Sequence, residues 1–152
     1  MKLYNSYSSQ IENFQPVEPK KVRMYVCGIT PYDITHLGHA FVYITFDALK
    51  RFLEFKGYKV TYIQNITDID DDVLKRAKRD GKNWVELGDF WTEKFLEDLK
   101  ALNIQMPDNL IKATEAMPEI IQMVQKLMDS GLAYEKNGNV YFEVSKFPEY
   151  GK

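Results

Sequence analysis

The chain has 152 residues, 45% hydrophobic and 28% charged, with a formal net charge of −2, a composition suited to one globular domain with a buried core. That charge gives no overall attraction to a polyanion, so any nucleic-acid contact must be local or lie elsewhere. A single cysteine excludes an internal disulfide framework, MKLYNSYSSQ lacks a signal-peptide run, and no stretch nears the roughly 18 apolar residues of a membrane span, so a cytoplasmic chain without membrane contact is expected.

In chain order, residues 1–21 read as an irregular lead-in, with Pro16 and Pro19 opposing a helix. The β-rich segment Val22–Cys27 predicts a strand. A turn-rich stretch follows, and then apolar residues at helical spacing (Val42, Phe46, Leu49 and Phe52 or Leu53) predict a helix over about 38–56, with Gly57 as its left-handed cap. Residues 59–65, KVTYIQN, predict a second strand. Strand, glycine-bearing loop, helix and strand within about 45 residues make a βαβ unit, which implies a parallel sheet. TDIDDDVLKRAKRDG predicts a capped helix stopped by Gly81. Asn83 and Glu86 stand at capping-box spacing before a helix with an apolar stripe of Trp84, Leu87, Trp91, Phe95, Leu99 and Leu102, which reads as core. A last helix is expected over 117–130, with Ile120, Ile121, Val124, Leu127 and Met128 inward and Gly131 ending it. AYEKNGNVYFEV predicts a hairpin around Asn137-Gly138.

The stretch CGITPYDITHLGHA, residues 27–40, holds the only cysteine and both histidines. A closed zinc site wants four ligands, and Cys27, His36 and His39 supply at most three; Cys27 could instead be one ligand of a site completed elsewhere, or a small residue at a strand end. A cysteine nucleophile lacks a nameable orienting residue. A loop that leaves a strand and opens a helix is where main-chain N–H groups and the helix dipole hold a phosphate, and a histidine there can donate to a phosphoryl oxygen. Neither a Walker-A nor a GxGxxG pattern is present. On pattern alone, phosphate contact and helix capping remain open for His36 and His39. The phosphate reading requires parallel pairing of the flanking strands and rings that are not buried among apolar neighbours. For Asp68–Asp72, DIDDD, capping of the following helix is the economical account and Mg²⁺ binding the alternative.

HLGH, His36 to His39, resembles the HIGH signature of class I aminoacyl-tRNA synthetases. With MYVCGITPYD before it and NITDIDDDVLKRA after it, the chain resembles cysteinyl-tRNA synthetase and its close relative, the mycothiol-pathway cysteine ligase. The likeness runs from LYNSYSSQIENFQPVEP to NVYFEVSKFPEYGK. It implies an α/β fold: the N-terminal half of a class I Rossmann-type parallel sheet, followed by helices and a β-hairpin of the connective insertion. The corresponding divisions are 1–21 as lead-in, 22–82 as the first Rossmann half and 83–152 as the truncated insertion. The implied activity is ATP-dependent conversion of cysteine to cysteinyl-adenylate, then transfer to tRNA(Cys), or to an amino-sugar in the ligase. GITPYD followed by THLGHA is closer in wording to the ligase, whereas Val42 stands where the ligase carries threonine; the synthetase is the preferred reading.

Residue by residue, the resemblance implies that Cys27 is a zinc ligand, the metal gripping the substrate thiol. It places Gly28, Ile29 and Thr30 in the loop that meets the adenylate, and His36 and His39 on the ATP phosphates as the catalytic pair. Gly38 would admit the nucleotide to the backbone, and Asn65, Ile66 and Thr67 would lie near bound cysteine, at the edge where open α/β sheets bind ligands. ATP is then a substrate, Mg²⁺ accompanies it, and Zn²⁺ has one ligand in this chain. No KMSKS-type loop, further zinc-ligand set, second βαβ half or anticodon-binding domain is found in the 152 residues, so weak ATP binding and little adenylation are expected of the chain alone, as of a fragment. A non-catalytic nucleotide-binding module and an inert remnant are the competing readings.

Overall fold

The structure, a computed structural model, describes residues 1–151. In chain order it contains β1 (Lys2–Asn5), β2 (Gln10–Asn13), β3 (Lys21–Val26), α1 (Leu37–Phe55), β4 (Lys59–Ile66), α2 (Asp71–Asp80), α3 (Trp84–Ala101), β5 (Asn109–Lys112), α4 (Met117–Asp129), β6 (Ala133–Lys136) and β7 (Asn139–Phe142). These group into two compact units, residues 16–115 and residues 1–15 with 116–152.

In the unit 16–115, β3, β4 and β5 form a parallel sheet with β4 central. Val26 pairs with Gln64 and Ile66 with Lys112, so the C-terminal ends of all three strands reach one edge. The parallel β3–α1–β4 unit is as expected. The third strand, β5, is not: its four residues are too few for a period to emerge. It is held at its start by Asp108, whose Oδ2 accepts from Tyr62 N–H at 2.7 Å while its own N–H donates to Tyr62 O at 2.8 Å. The sheet therefore continues past residue 82, the boundary read from sequence.

Along β4, Val60, Tyr62, Gln64 and Ile66 are buried and the alternate residues are half-buried, the two-residue period of a strand packed mainly on one face. The core joins Val26, Ile29, Tyr62 and Ile66 to Tyr43 of α1 and to Phe95 and Leu99 of α3. Tyr43 and Phe95 meet with ring centroids 5.0 Å apart. Of the α3 stripe, Leu87, Phe95 and Leu99 are buried, Trp84 and Trp91 are half-buried, and Leu102, beyond the last turn, is exposed.

The inward face of α1 is the expected one in part, since Leu53 is buried and Phe46 packs against the core. Tyr43, Lys50 and Leu53 are buried, whereas Val42 and Phe52 are 40% and 44% exposed. An apolar count misses Tyr43 and Lys50 because their tips are polar, yet both tips are satisfied. The Tyr43 hydroxyl donates to Cys27 O at 3.3 Å, and Lys50 Nζ meets Glu54 Oε1 at 2.5 Å and Gln105 Oε1 at 2.8 Å. Gly57 and Gly81 take left-handed φ values of 82° and 63° beyond α1 and α2, as anticipated.

In the other unit, residues 1–15 are not irregular: β1 and β2 form an antiparallel hairpin, Lys2 opposite Asn13. Pro16 and Pro19 lie beyond its second strand and leave its pairing untouched. The β6–β7 hairpin turns at Asn137 and Gly138, with φ of 55° and 77°, both left-handed as a type I′ turn requires. On α4, Val124, Leu127 and Met128 are half-buried, but Ile120 and Ile121 are exposed, contrary to expectation. Four residues of strand span about 13 Å, less than the roughly 20 Å of a 13-residue helix, so β6 cannot cover all of α4.

Candidate functional site

Where β3 leaves the sheet, Gly28 passes so close to β4 that a Cβ built on it would lie 1.6 Å from Asn65 O. Only glycine fits that crossing. Asn65 locks it: its Oδ1 accepts from Gly28 N–H and from the Tyr25 hydroxyl, each at 2.8 Å, and its Nδ2 donates to Thr67 Oγ1 at 3.2 Å. Thr67 N–H donates to Ile29 O at 2.9 Å, which closes the second contact between the two strand ends. Cys27, Gly28, Ile29, Thr30, Asn65, Ile66 and Thr67 are thereby gathered at one sheet edge. Their side chains do not all face outward. Ile29 and Ile66 belong to the core and offer a ligand main chain only; Cys27 is exposed, and Thr30, Asn65 and Thr67 are half-buried.

The loop then runs through buried Pro31 to the mouth of α1. It is tied down twice on the way. Asp33 pairs with Arg76 of α2, and the Thr35 hydroxyl donates to Asp98 of α3. His36 is the N-cap of α1, with extended φ and ψ of −130° and 173°. Its Nδ1 accepts from Gly38 N–H at 3.1 Å, while His36 N–H donates to His39 Nδ1 at 3.2 Å. The two imidazoles thus close a reciprocal capping box, a task usually given to serine, threonine or a carboxylate. The rings stack with centroids 3.9 Å apart and planes 18° from parallel. His36 is exposed and His39 half-buried, so neither ring is lost among apolar neighbours. Burial first, and then the adjacent His36 ring, hold His39 below the ordinary imidazole pKa.

The site halves meet through Tyr43, which lines a small cleft with His36, His39 and Asp98 while its hydroxyl reaches Cys27 O. Burial drives the Tyr43 phenol well above its usual range, so it stays a neutral donor. Beyond β4, the acidic run divides its labour. Asp68 is buried and accepts from Thr114 N–H at 3.0 Å and from the Thr114 hydroxyl; Asp70 caps α2 through Asp72 N–H at 2.9 Å, and Asp71 and Asp72 fill the first turn. These are structural roles.

A sequence profile described as "tRNA synthetases class I (C) catalytic domain" matches residues 13–152. The chain belongs to that family. Across all 152 residues it is 46% identical to the cysteine–tRNA ligase of Cyanothece sp., and 47% and 48% identical to those of Pyrococcus horikoshii and Thermococcus kodakarensis. It spans about a third of their length, 31% of the first and 32% of the other two. Among solved structures, Mycobacterium tuberculosis methionyl-tRNA synthetase in complex with methionyl-adenylate superposes with a TM-score of 0.65 at 26% identity, over 75% of this chain and 22% of that one. The Agrobacterium radiobacter agnB2 LeuRS–tRNA–LeuAMS complex gives 0.63 at 18% identity, over 79% of this chain and 16% of that one, a likeness of fold.

Cys27, the chain's single cysteine, is free and exposed. Among the described residues no group of three or more His, Cys, Asp or Glu side chains could hold a metal ion. A tetrahedral zinc site takes three or four protein ligands, so the residues present do not by themselves fit zinc. No helix among the described residues is long and apolar enough to cross a membrane. Three site residues escaped sequence reading: Tyr25, Tyr43 and Asp98. Tyr25, near the end of the β3 alternation, precedes Cys27 by two positions, a strand-period signal that could have found it. Partial burial and then the Cys27 thiol raise the Tyr25 phenol above its ordinary value. Nothing local marks Asp98, which lies 63 residues from its partner Thr35.

Proposed function

We propose that this chain forms the HIGH-bearing wall of a cysteine-activating site, the N-terminal part of a cysteine–tRNA ligase, with ATP, cysteine and tRNA(Cys) as substrates. The observation that carries the reading is 46–48% identity to cysteine–tRNA ligases over every residue of the chain. In the first step a cysteine carboxylate oxygen attacks the α-phosphorus of ATP, the bond to the bridging pyrophosphate oxygen breaks, and pyrophosphate leaves with Mg²⁺. In the second, a tRNA ribose hydroxyl displaces AMP; regions outside these 152 residues bind the tRNA.

Within that scheme His36 and His39 stand at the mouth of α1 with Nδ1 turned to the backbone, which leaves Nε2–H of each ring for phosphate oxygens where charge develops. Thr30, Gly38 and the first turn of α1 offer main chain to the nucleotide. The Cys27, Gly28, Ile29, Asn65, Ile66 and Thr67 edge receives the amino acid, with Thr67 Oγ1 oriented by Asn65. Zinc, when bound, would grip a substrate thiolate in preference to a hydroxyl; Cys27 would be its ligand from this chain, and the others would come from outside it. A cytoplasmic location follows from the proposed role in protein synthesis.

A chimera in which this chain replaces the matching third of the Cyanothece ligase tests the reading. Cysteine-dependent ATP–pyrophosphate exchange is expected from it, and at most a trace from the 152-residue chain alone. A chimera that folds, by circular dichroism, yet exchanges no pyrophosphate would reject the assignment. Charging of tRNA(Cys), set against an amino-sugar acceptor, decides the second substrate.

A further inference from the structure

We propose that Gly38 is a positioning residue for His36, and that the first turn of α1 holds both histidines as neutral Nε2–H tautomers, so that a phosphate is met by two fixed hydrogen-bond donors rather than by imidazolium charge. The proposal deepens the nucleotide reading of the site and rests on it.

The geometry argues each part. A main-chain N–H aimed at an imidazole nitrogen needs a lone pair there. Gly38 N–H takes that of His36 Nδ1 at 3.1 Å, and His36 N–H takes that of His39 Nδ1 at 3.2 Å. A proton on either Nδ1 would point at another N–H hydrogen and open the cap. Each ring therefore carries its proton on Nε2 and no charge. The stack strengthens the restriction, because two imidazolium rings with centroids 3.9 Å apart would repel. The depressed His39 pKa has the same sense.

Gly38 sets the ring. A Cβ built there would lie 2.9 Å from His36 Cε1 and 3.0 Å from His36 Nδ1, so the imidazole occupies the space a side chain would need. The surroundings supply little to reverse the preference. The cleft beside the rings is lined by Thr35, Ala40, Tyr43, Phe95, Leu99, Leu102 and one carboxylate, Asp98 of α3. That carboxylate already accepts from the Thr35 hydroxyl, and the Tyr43 hydroxyl is turned to Cys27 O.

The test uses the ¹⁵N-labelled 152-residue chain. Long-range ¹H–¹⁵N spectra near pH 8, with no ligand present, should show both rings almost wholly as Nε2–H, more so than a solvated histidine side chain. Gly38→Ala should return His36 toward the mixture of a solvated ring, with helix content by circular dichroism unchanged. A wild-type ring carrying Nδ1–H, or a Gly38→Ala spectrum identical to wild type for His36, would overturn the proposal. The recognition half is read in the chimera described above, with the methyl ester of AMP, a phosphodiester of constant charge between about pH 5.5 and pH 8. Its affinity should stay level or fall toward pH 5.5, and a roughly tenfold gain there would mean that imidazolium is the binding form, against the proposal. No binding at either pH would remove the nucleotide reading and the recognition claim with it, while the ligand-free spectra would judge the tautomers independently.

Discussion

At the sheet edge, the space beside Gly28 is taken by a main-chain carbonyl, that of Asn65; at the mouth of α1, the space beside Gly38 is taken by the imidazole of His36. The difference separates two ways of holding a site. A carbonyl of the central strand cannot retreat without parting β3 from β4, whereas a ring can swing about its side-chain torsions at modest cost. The edge that gathers Cys27 and Thr67 is thus part of the fold. The histidine turn is a device mounted on it, adjustable without loss of the sheet.

Gly28→Ala should break the first arrangement outright. A Cβ 1.6 Å from Asn65 O forces the strand ends apart, and a loss of about 3 kcal/mol or more is expected in urea unfolding, or no folded product at all. A Gly28→Ala chain of near wild-type stability would show that the edge can yield and would dissolve the contrast with Gly38. Asn65→Ala comes next. It strips the acceptor from Gly28 N–H and the Tyr25 hydroxyl and the donor from Thr67, at a cost of about 1–3 kcal/mol. Asn65→Asp keeps the acceptor and should recover part of that loss.

How far these features were legible in the sequence follows from how local each one is. β3, β4, the ends of α1 and α2 and the Asn137-Gly138 turn rest on signals within a few residues, and each was readable. Cys27 and Asn65 could be assigned to one edge because parallel pairing brings strand C-termini together. β5 was not readable, since NLIK is too short to show a period and its place depends on the distant Asp108–Tyr62 pair. The β1–β2 hairpin was hidden by prolines that lie beyond it. Tyr43 and Lys50 were hidden because a polar tip masks a buried body. At the site, pattern leaves both capping and phosphate contact open for His36 and His39, and the ring geometry is the reason. Capping uses Nδ1 of each ring and leaves Nε2 unspent, so the two roles do not compete.

His36 provides the third way to sharpen the comparison. His36→Ala removes the cap and should cost about 1 kcal/mol; His36→Asn restores an acceptor for Gly38 N–H and should stay within a few tenths of wild type. Both lose the Nε2–H donor. In the chimera described above, both should therefore lose pyrophosphate exchange by a similar factor, about 10²-fold or more, despite their different stabilities. If His36→Asn kept full exchange, the cap would be the whole role of this residue and the device would have no chemical part.

The smallest expected effect concerns the tether between the loop and α2. Arg79 and Arg76 hold the Asp80 carboxyl down to about 2, and Arg76 also bridges to Asp33, whose carboxyl is lowered first by the Ile34 N–H and then by Arg76. Both folded pKa values lie below those of the unfolded chain, so between them the unfolded state binds more protons and stability rises with pH. The contribution is complete above the ordinary carboxylate range near 4 and is lost as pH falls from there toward about 2. Asp80→Asn should flatten that limb of a stability–pH curve and leave the curve above pH 5 parallel to wild type. Because these groups face solvent, salt should weaken the limb in wild type more than in the variant. An acid limb as steep as wild type in both Asp80→Asn and Asp33→Asn would mean that the loop reaches α1 without help from α2, held by Pro31 and the Thr35–Asp98 bond alone.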